Sequence, residues 1–195
     1  MAKLYFTYAS MGSGKSANLL QARFNYLERG QKCLLLTAAI DDRFGKGQIT
    51  SRIGISAEAD IFSSESDLLE DFIRPAAEAG VSAVMIDEAQ FMTSEQVLQL
   101  ARAVDLFNIP VMAFGLRTDF RGKLFPGSAT LLGLADVLRE LKAICDHPEC
   151  GRAARMVLRK DETGTPTLDG DQVQIGNSEY VPLCRKHWLE THGLL

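Results

Sequence analysis

The residues Gly14, Lys15 and Ser16 form the clearest candidate for chemistry in the sequence, because they end the segment YASMGSGKS. In a phosphate-binding P-loop, G-x-x-x-x-G-K-[ST], backbone N–H groups hold the phosphates, the lysine adds a positive charge and the hydroxyl ligates Mg²⁺. Ala9 stands where the motif has its opening glycine, and a methyl group is tolerated there if φ is negative. The segment therefore predicts a nucleotide site, with a chance Gly-Lys-Ser turn as the alternative.

A second motif, VMIDE at residues 84–88, supports the nucleotide interpretation. An apolar strand that ends in acid is typical of a Walker B segment, in which Asp87 supports Mg²⁺. Glu88 then either takes a proton from an acceptor or is a solvated carboxylate at a strand end. The sequence DEAQ also resembles the acidic motif of helicase-type ATPases. Those proteins need two such domains and a basic channel, whereas this chain has 195 residues and a net charge of −4.

Cysteine and histidine side chains near the end of the chain form another candidate site. Cys145 and Cys150 bracket the segment CDHPEC, and Cys184 and His187 form a C-x-x-H pair further along. Two such pairs suit a tetrahedral structural Zn²⁺ held by three thiolates and one imidazole. His147 is a competing ligand, but we expect Cys150 because structural zinc sites favour thiolates. Buried free thiols are the alternative to a metal site.

The elements that must position these residues alternate between strand and helix. Unbroken apolar strands between helices indicate an α/β protein with a parallel sheet covered on both faces. Pro75 should split one of the helices, and Thr93 with Gln96 forms a capping-box pattern at the start of another. Apolar periodicity predicts strands over 3–8, 32–37, 81–88 and 110–115, and helices over 16–29, 64–80 and 93–107. Between these elements we expect a loop or hairpin over 41–54 and a loop over 116–128. The segment 135–145 fits either a helix or a strand.

The composition is that of a soluble globular protein. The hydrophobic fraction is 46% and the charged fraction 24%, and no apolar run reaches the roughly 20 residues that span a bilayer. The N-terminal residues lack a signal-peptide pattern, so we expect a cytoplasmic protein without membrane contact. The acidic balance argues against nucleic acid as a partner. We expect a boundary near Ile144, with an α/β nucleotide-binding domain over 1–144 and a β-rich zinc-binding subdomain over 145–195.

The chain resembles the thymidine kinases of the bacterial and animal-cytosolic type over nearly its whole length. The shared segments are YASMGSGKS, DDRFGKGQITSRIG, MIDEAQF, FGLRTDFRGKLFPGS, LKAIC and CRKH. Of these, IDEAQF and GLRTDF together are the most specific. The resemblance implies a RecA-like P-loop sheet, ATP with Mg²⁺, thymidine as the acceptor, a structural Zn²⁺, and a homotetramer or homodimer. It also implies that segment 135–145 contains a strand.

The resemblance assigns roles at the nucleotide site residue by residue. Glu88 would be the general base, and Asp87 would support Mg²⁺. Arg43 would lie near the transferred phosphate, and Asp41 is a further candidate for the metal. The ATP phosphates would be held by Ala9, Ser10, Met11, Gly12, Ser13, Gly14, Lys15 and Ser16.

The resemblance also implies a substrate pocket and a lasso loop that the zinc subdomain would anchor. The pyrimidine would be enclosed by Phe91, Leu116, Phe120 and Phe125, with Met11 against its 5-methyl group. The lasso, residues 174–180, would read the base edge through its backbone, and Tyr180 would pack on the sugar. The implied lasso contacts are Gln174, Ile175, Gly176, Asn177 and Tyr180.

Two other classes of protein stay open from the sequence. A P-loop ATPase without a small-molecule acceptor would turn over ATP regardless of thymidine. A zinc-ribbon binding module with a degenerate nucleotide site would carry exposed basic residues around the metal. The region after Cys145 is instead rich in acid, including Asp146, Glu149, Asp161 and Glu162.

Overall fold

The structure is a computed structural model that describes residues 1–40, 45–173 and 179–195. Its strands are β1 (Leu4–Ala9), β2 (Cys33–Ala38), β3 (Gln48–Thr50), β4 (Ser56–Glu58), β5 (Asp60–Phe62), β6 (Ala83–Ile86), β7 (Val111–Leu116), β8 (Val137–Glu140), β9 (Ala143–Ile144), β10 (Ala153–Ala154), β11 (Met156–Lys160), β12 (Pro166–Thr167) and β13 (Glu179–Leu183). Its α-helices are α1 (Lys15–Leu27), α2 (Arg74–Glu78), α3 (Ser94–Phe107), α4 (Pro126–Leu134) and α5 (Arg185–Thr191).

The predicted parallel sheet is confirmed, and it has six strands in the order β5-β2-β6-β7-β1-β8. All five neighbouring pairs run parallel. Because side chains alternate along each strand, consecutive residues enter different cores. Leu34, Leu36, Val84 and Ile86 pack in a cluster with α3 and α4, whereas Leu35 and Met85 pack in a second cluster with α1. Helices therefore cover both faces of the sheet.

The predicted break at Pro75 is also present. A π-helical turn over Leu68–Ile73 leads directly into α2, where Pro75 lies in the first turn. Pro has no N–H to donate to the preceding turn, so it is accommodated where one helix begins. The side chain of Asp67 accepts hydrogen bonds from the backbone N–H groups of Leu69 and Glu70, which closes the start of this segment.

The segment 135–145 forms strand β8, as the resemblance implied, and the helical spacing of its apolar residues is misleading. β8 pairs in parallel with β1, with Tyr5 opposite Val137. The N–H of Leu4 also donates to a carboxylate oxygen of Asp136 at 2.7 Å. Pairing with a strand distant in sequence overrides the local periodicity.

The helix α4 lies where the sequence analysis predicted a loop up to residue 128. Pro126 occupies the first turn of α4, and proline at that position is a known helix start signal. Gly127 fits this helix tightly, because a Cβ there would lie 2.6 Å from the Met92 carbonyl oxygen. The helix therefore packs directly on the turn that follows the acidic motif.

Of the two alternatives predicted for 41–54, a loop or a hairpin, the described residues form a hairpin whose second strand lies just beyond residue 54. Strands β3 and β4 pair antiparallel, with Ile49 opposite Ala57, while residues 41–44 lie outside the described residues. Beyond residue 144, short strands and α5 share a third cluster of buried apolar residues with Cys145 and Cys184. The exact domain boundary near Ile144 stays a prediction. Within the described ranges, no helix is both long and apolar enough to cross a membrane.

The start of α3 carries the predicted capping box, and its removal should be measurable. The Thr93 hydroxyl accepts from the Gln96 N–H at 3.1 Å, and the Gln96 side chain accepts from the Thr93 N–H at 3.0 Å. We expect Thr93→Ala to lower the free energy of unfolding by about 1 kcal/mol, because the Gln96 N–H loses its side-chain acceptor. Urea unfolding monitored by circular dichroism tests this. A change below about 0.3 kcal/mol would show that the cap contributes little.

Candidate active site

The P-loop connects the last residue of β1 to the first residue of α1. Gly12 and Gly14 have φ values of 71° and 80°, a left-handed conformation that residues with a Cβ adopt only at a cost. Ala9 ends β1 and is absent from the described residues with positive φ, so its methyl group is tolerated. The Ser13 hydroxyl and the Lys15 ammonium both donate to the Ser10 carbonyl oxygen, at 2.9 and 3.1 Å. These two hydrogen bonds stabilise the loop, because side chains of the loop donate to a carbonyl oxygen of the same loop.

Asp87 is held at the base of the loop and is 4% exposed. Its pKa is raised to about 6, because burial and the negative charge of Glu88 disfavour the ionised carboxylate. A hydrogen bond with the Ser16 side chain and the charge of Lys15 act in the opposite direction. A buried carboxylate that contacts a P-loop hydroxyl is the donor pair that suits Mg²⁺ at a nucleotide site. A cation there would favour the ionised form of Asp87.

Glu88 adopts a left-handed backbone conformation with φ of 53° immediately after the sheet. The predicted strand over 81–88 therefore ends at Ile86, and the turn directs the backbone away from the sheet. The Glu88 N–H donates to Asp87 Oδ1 at 3.0 Å. A non-glycine residue in this conformation is strained, and such strain is concentrated at functional sites.

Gln90 fixes the Glu88 side chain, and the sequence analysis did not identify it. Its Nε2 donates to Glu88 Oε2 at 2.5 Å, and its Oε1 accepts from the Leu116 N–H at 2.9 Å. Gln90 is only 1% exposed. Gly115 makes room for this bridge, since a Cβ there would lie 2.8 Å from Gln90 Oε1. Gln90 belongs to the motif IDEAQF, but its partner Leu116 on β7 is 26 residues away in the sequence, so the motif alone did not indicate the bridge.

A cavity of about 250 Å³ joins the P-loop to these residues. It brings together several predicted site residues, including Lys15 and Glu88. It also includes the tip of the β3–β4 hairpin, which the sequence analysis did not place at the site. The lining residues are Met11, Gly12, Ser13, Gly14, Lys15, Ser16, Ala17, Thr50, Ser51, Arg52, Ile53, Glu88 and Leu116.

The aromatic residues predicted around the pyrimidine do not all line this cavity. Phe91 and Phe125 contact each other edge to face, with ring centroids 5.9 Å apart. Phe120 is 1% exposed, and the Arg159 guanidinium lies 3.8 Å from its ring centroid. Of the predicted base-pocket residues, Met11 and Leu116 line the cavity. A role for the three phenylalanines in binding the base stays a prediction.

Several predicted site residues lie outside the described residues, but their neighbours are described. These residues are Asp41, Arg43, Gln174, Ile175, Gly176 and Asn177. Tyr180 lies on β13 opposite Arg159. Arg159 also donates to the carbonyl oxygens of Asp171 at 2.9 Å and Asp169 at 3.2 Å. The chain just before residue 174 is thus attached to the residue that covers the Phe120 ring.

The four predicted zinc ligands form one cluster in the C-terminal region. Cys145 Sγ lies 3.4 Å and Cys184 Sγ lies 3.5 Å from His187 Nδ1, and Cys150 Sγ lies 4.0 Å from Cys184 Sγ. Four thiolate and imidazole atoms around Zn²⁺ lie roughly 3.5 to 4 Å apart, as Zn–S distances of about 2.3 Å require. Desolvation and His147 lower the pKa of His187, which favours the neutral, ligating imidazole. The cluster could therefore hold zinc.

His147, the competing ligand, lies beside this cluster and is not part of it. Its ring stacks on the His187 ring with centroids 3.8 Å apart. Its Nδ1 lies 2.9 Å from the Pro148 carbonyl oxygen. Among the described residues, the group able to hold a metal comprises Cys145, Cys150, Cys184 and His187. The geometry favours Cys150 over His147.

The parallel sheet, the P-loop and the buried acid beside it define a P-loop nucleotide-binding protein. Residues 2–188 match the family model described as thymidine kinase. The chain belongs to the thymidine kinase family.

Curated relatives agree with the family match over almost the full chain. A protein from Ruegeria pomeroyi named thymidine kinase is 58% identical, covering 99% of this chain and 96% of its own. A protein of the same name from Photobacterium profundum is 52% identical, covering 99% of this chain and all of its own. The solved structure of the Legionella pneumophila ATPase DotB covers 60% of this chain and 31% of its own, with 20% identity and a TM-score of 0.37.

Metal analysis tests the cluster and the choice between its two candidate ligands. We expect about one zinc per chain, because the four donors fit one tetrahedral ion. Cys150→Ser should lose the metal, and the matched variant His147→Ala should keep it. Inductively coupled plasma mass spectrometry of the purified proteins measures both. Loss of zinc from His147→Ala with retention in Cys150→Ser would reverse the assignment.

Proposed function

We propose that this protein is an ATP-dependent thymidine kinase, which transfers the γ-phosphate of ATP to the 5′-hydroxyl of thymidine and forms dTMP. The product would serve nucleotide salvage for DNA synthesis. One observation carries the proposal: a single cavity places the carboxylate-bearing residue Glu88 beside Lys15 and the rest of the P-loop. Family membership identifies the acceptor, which the phosphate site alone leaves open.

In the proposed mechanism, residues 9–16 bind the ATP phosphates through backbone N–H groups and Lys15. Lys15 would exchange its bond to the Ser10 carbonyl oxygen for the phosphates. Asp87 and Ser16 would hold Mg²⁺, which neutralises charge on the phosphates when bound. Arg43 would lie near the transferred phosphate, with Asp41 beside the metal. Phosphoryl transfer requires positioning and charge neutralisation more than covalent catalysis.

Glu88 would act as the general base toward the 5′-hydroxyl. Its carboxylate keeps one oxygen on Gln90, which orients the other oxygen, Oε1. That oxygen would take the hydroxyl proton as the oxygen nucleophile attacks the γ-phosphorus and the ADP oxygen leaves. Because Gln90 is bonded to the end of β7, the base would stay in place as substrates bind.

The base pocket would combine apolar walls with backbone recognition. Phe91, Leu116, Phe120 and Phe125 would enclose one pyrimidine ring, with Met11 against the 5-methyl group. The lasso, at Gln174, Ile175, Gly176 and Asn177, would meet the base edge, and Tyr180 would pack on the sugar. The bonds from Arg159 to residues 169 and 171 support the proposal that the C-terminal region anchors this loop.

The remaining assignments are also proposals. The zinc-binding subdomain would begin after Ile144 and hold Zn²⁺ through its three cysteines and His187. We further propose a cytoplasmic homotetramer or homodimer that does not act on nucleic acid or membranes. The alternative, a P-loop ATPase without a nucleoside acceptor, predicts ATP hydrolysis that thymidine does not change.

The role of Glu88 is tested by Glu88→Gln. We expect kcat to fall on the order of 10²- to 10⁴-fold, because the general base is lost. Binding of ATP should persist, since the P-loop is unchanged. An ATP-coupled assay and calorimetry measure the two effects. Glu95→Gln, on the exposed side of α3, is the matched control and should retain normal kcat. Near-normal kcat in Glu88→Gln would remove Glu88 from the mechanism.

Substrate selectivity tests the proposed pocket. Thymidine should be accepted, and deoxyadenosine should be rejected because a purine would displace packed side chains. Deoxycytidine reverses the donor and acceptor pattern of the base edge and would leave buried polar groups unpaired, so discrimination can reach about 10⁴-fold. The kcat/KM for deoxyuridine should be only modestly lower than that for thymidine, and Met11→Ala should reduce the difference between the two. The measurement compares kcat/KM for thymidine, deoxyuridine, deoxycytidine and deoxyadenosine at saturating ATP. Equal values for deoxycytidine would contradict backbone reading of the base.

A further inference from the structure

Arg52 is a cationic residue of the nucleotide cavity to which the mechanism above gives no role. We propose that Arg52 is a further phosphate-binding residue, which contacts the γ-phosphate of ATP and stabilises its charge during transfer. This inference rests on the proposed kinase function. It adds a residue from the β3–β4 hairpin to a site otherwise built from the P-loop and the acidic motif.

The turn that carries Arg52 is held by its own hydrogen bonds. The Ser51 N–H donates to the Ile55 carbonyl oxygen at 2.9 Å, and the Gly54 N–H donates to the Ser51 carbonyl oxygen at 3.0 Å. The Ser51 hydroxyl accepts from the Ile53 N–H at 3.3 Å. Because these hydrogen bonds fix the backbone of the turn, the Arg52 side chain extends from a defined position.

The hairpin below this turn is anchored in the core. Ile49 on β3 is fully buried in the cluster that also contains Leu19 of α1 and Phe114 of β7. Strand β3 therefore packs against the helix whose first residue is Lys15. This contact fixes the hairpin next to the P-loop without help from a ligand.

The Arg52 guanidinium lies close to the P-loop backbone. Its Nη1 would be 3.8 Å from a Cβ placed on Gly12. Gly12 is one of the two P-loop glycines that have a positive φ. Arg52 lines the same cavity as Lys15, Ser16 and Glu88. Two cations, one from the loop and one from the hairpin, thus face the space where the phosphates would bind.

The electrostatic setting leaves Arg52 available for an anion. Across residues 1–40, 45–173 and 179–195, no carboxylate forms an ion pair with Arg52. An arginine guanidinium offers a planar fork of N–H donors that matches phosphate oxygens. An exposed arginine beside a phosphate-binding loop is suited to the terminal phosphate, where charge builds up during transfer.

Binding measurements separate this role from a structural one and do not depend on turnover. In the full chain, Arg52→Met should weaken binding of ATP with Mg²⁺ roughly tenfold or more, as loss of a charged hydrogen bond predicts. It should leave the affinity for ADP nearly unchanged, because ADP lacks the γ-phosphate. Arg52→Lys should recover part of the loss. Arg102→Met, on exposed α3 surface, is the matched control and should change neither affinity.

Steady-state kinetics with thymidine provide the second measurement. We expect kcat of Arg52→Met to fall on the order of 10²-fold or more, because arginines at the transferred phosphate act mainly on the transition state. The KM for thymidine should change little. Equal weakening of ATP and ADP binding, or unchanged ATP binding with kcat within about twofold of the original chain, would overturn the proposal. If the unchanged chain fails to phosphorylate thymidine but Arg52→Met still separates ATP from ADP, the proposed acceptor is wrong and the Arg52 assignment stands.

Discussion

The bridge made by the Gln90 amide is the interaction on which the arrangement of the site depends. One end donates to the Glu88 carboxylate, and the other accepts from the N–H of Leu116 at the end of β7. Because β7 also pairs with β1, which leads into the P-loop, the same strand positions both the Glu88 carboxylate and the phosphate-binding loop. The left-handed turn at Glu88 and the absence of a Cβ at Gly115 are what this bridge requires.

The electrostatics of the site follow from placing two acids in succession at a buried strand end. Asp87 lies under the loop, where burial and the negative charge of Glu88 disfavour its ionised form, and a hydrogen bond with Ser16 and the positive charge of Lys15 act in the opposite direction. Glu88 lies further out and lines the cavity. One backbone turn thus gives adjacent residues different environments, which matches their proposed division between metal support and proton transfer.

What the sequence predicted well was local. The P-loop, the capping box at Thr93 and the break at Pro75 depend on residues within a few positions of one another, so pattern and chemistry coincide. The helix α4 is also local, but its Pro126 signal stood inside a segment that looked like a loop. Strand β8 and the bridge from Gln90 to Leu116 depend on partners distant in sequence. Periodicity alone could not identify these partners, and it left the β8 segment open between helix and strand until the family resemblance favoured the strand.

The contact between Trp188 and the Phe120 segment has a thermodynamic consequence. Trp188 follows the metal-ligand candidate His187 by one residue, and its indole N–H donates to the Phe120 carbonyl oxygen at 2.9 Å. The cysteine-histidine cluster and the predicted base pocket therefore share a structural element. Coupling through a shared element is reciprocal. To the extent that zinc binding orders this segment for a nucleoside, nucleoside binding must tighten the hold on zinc by the same free energy.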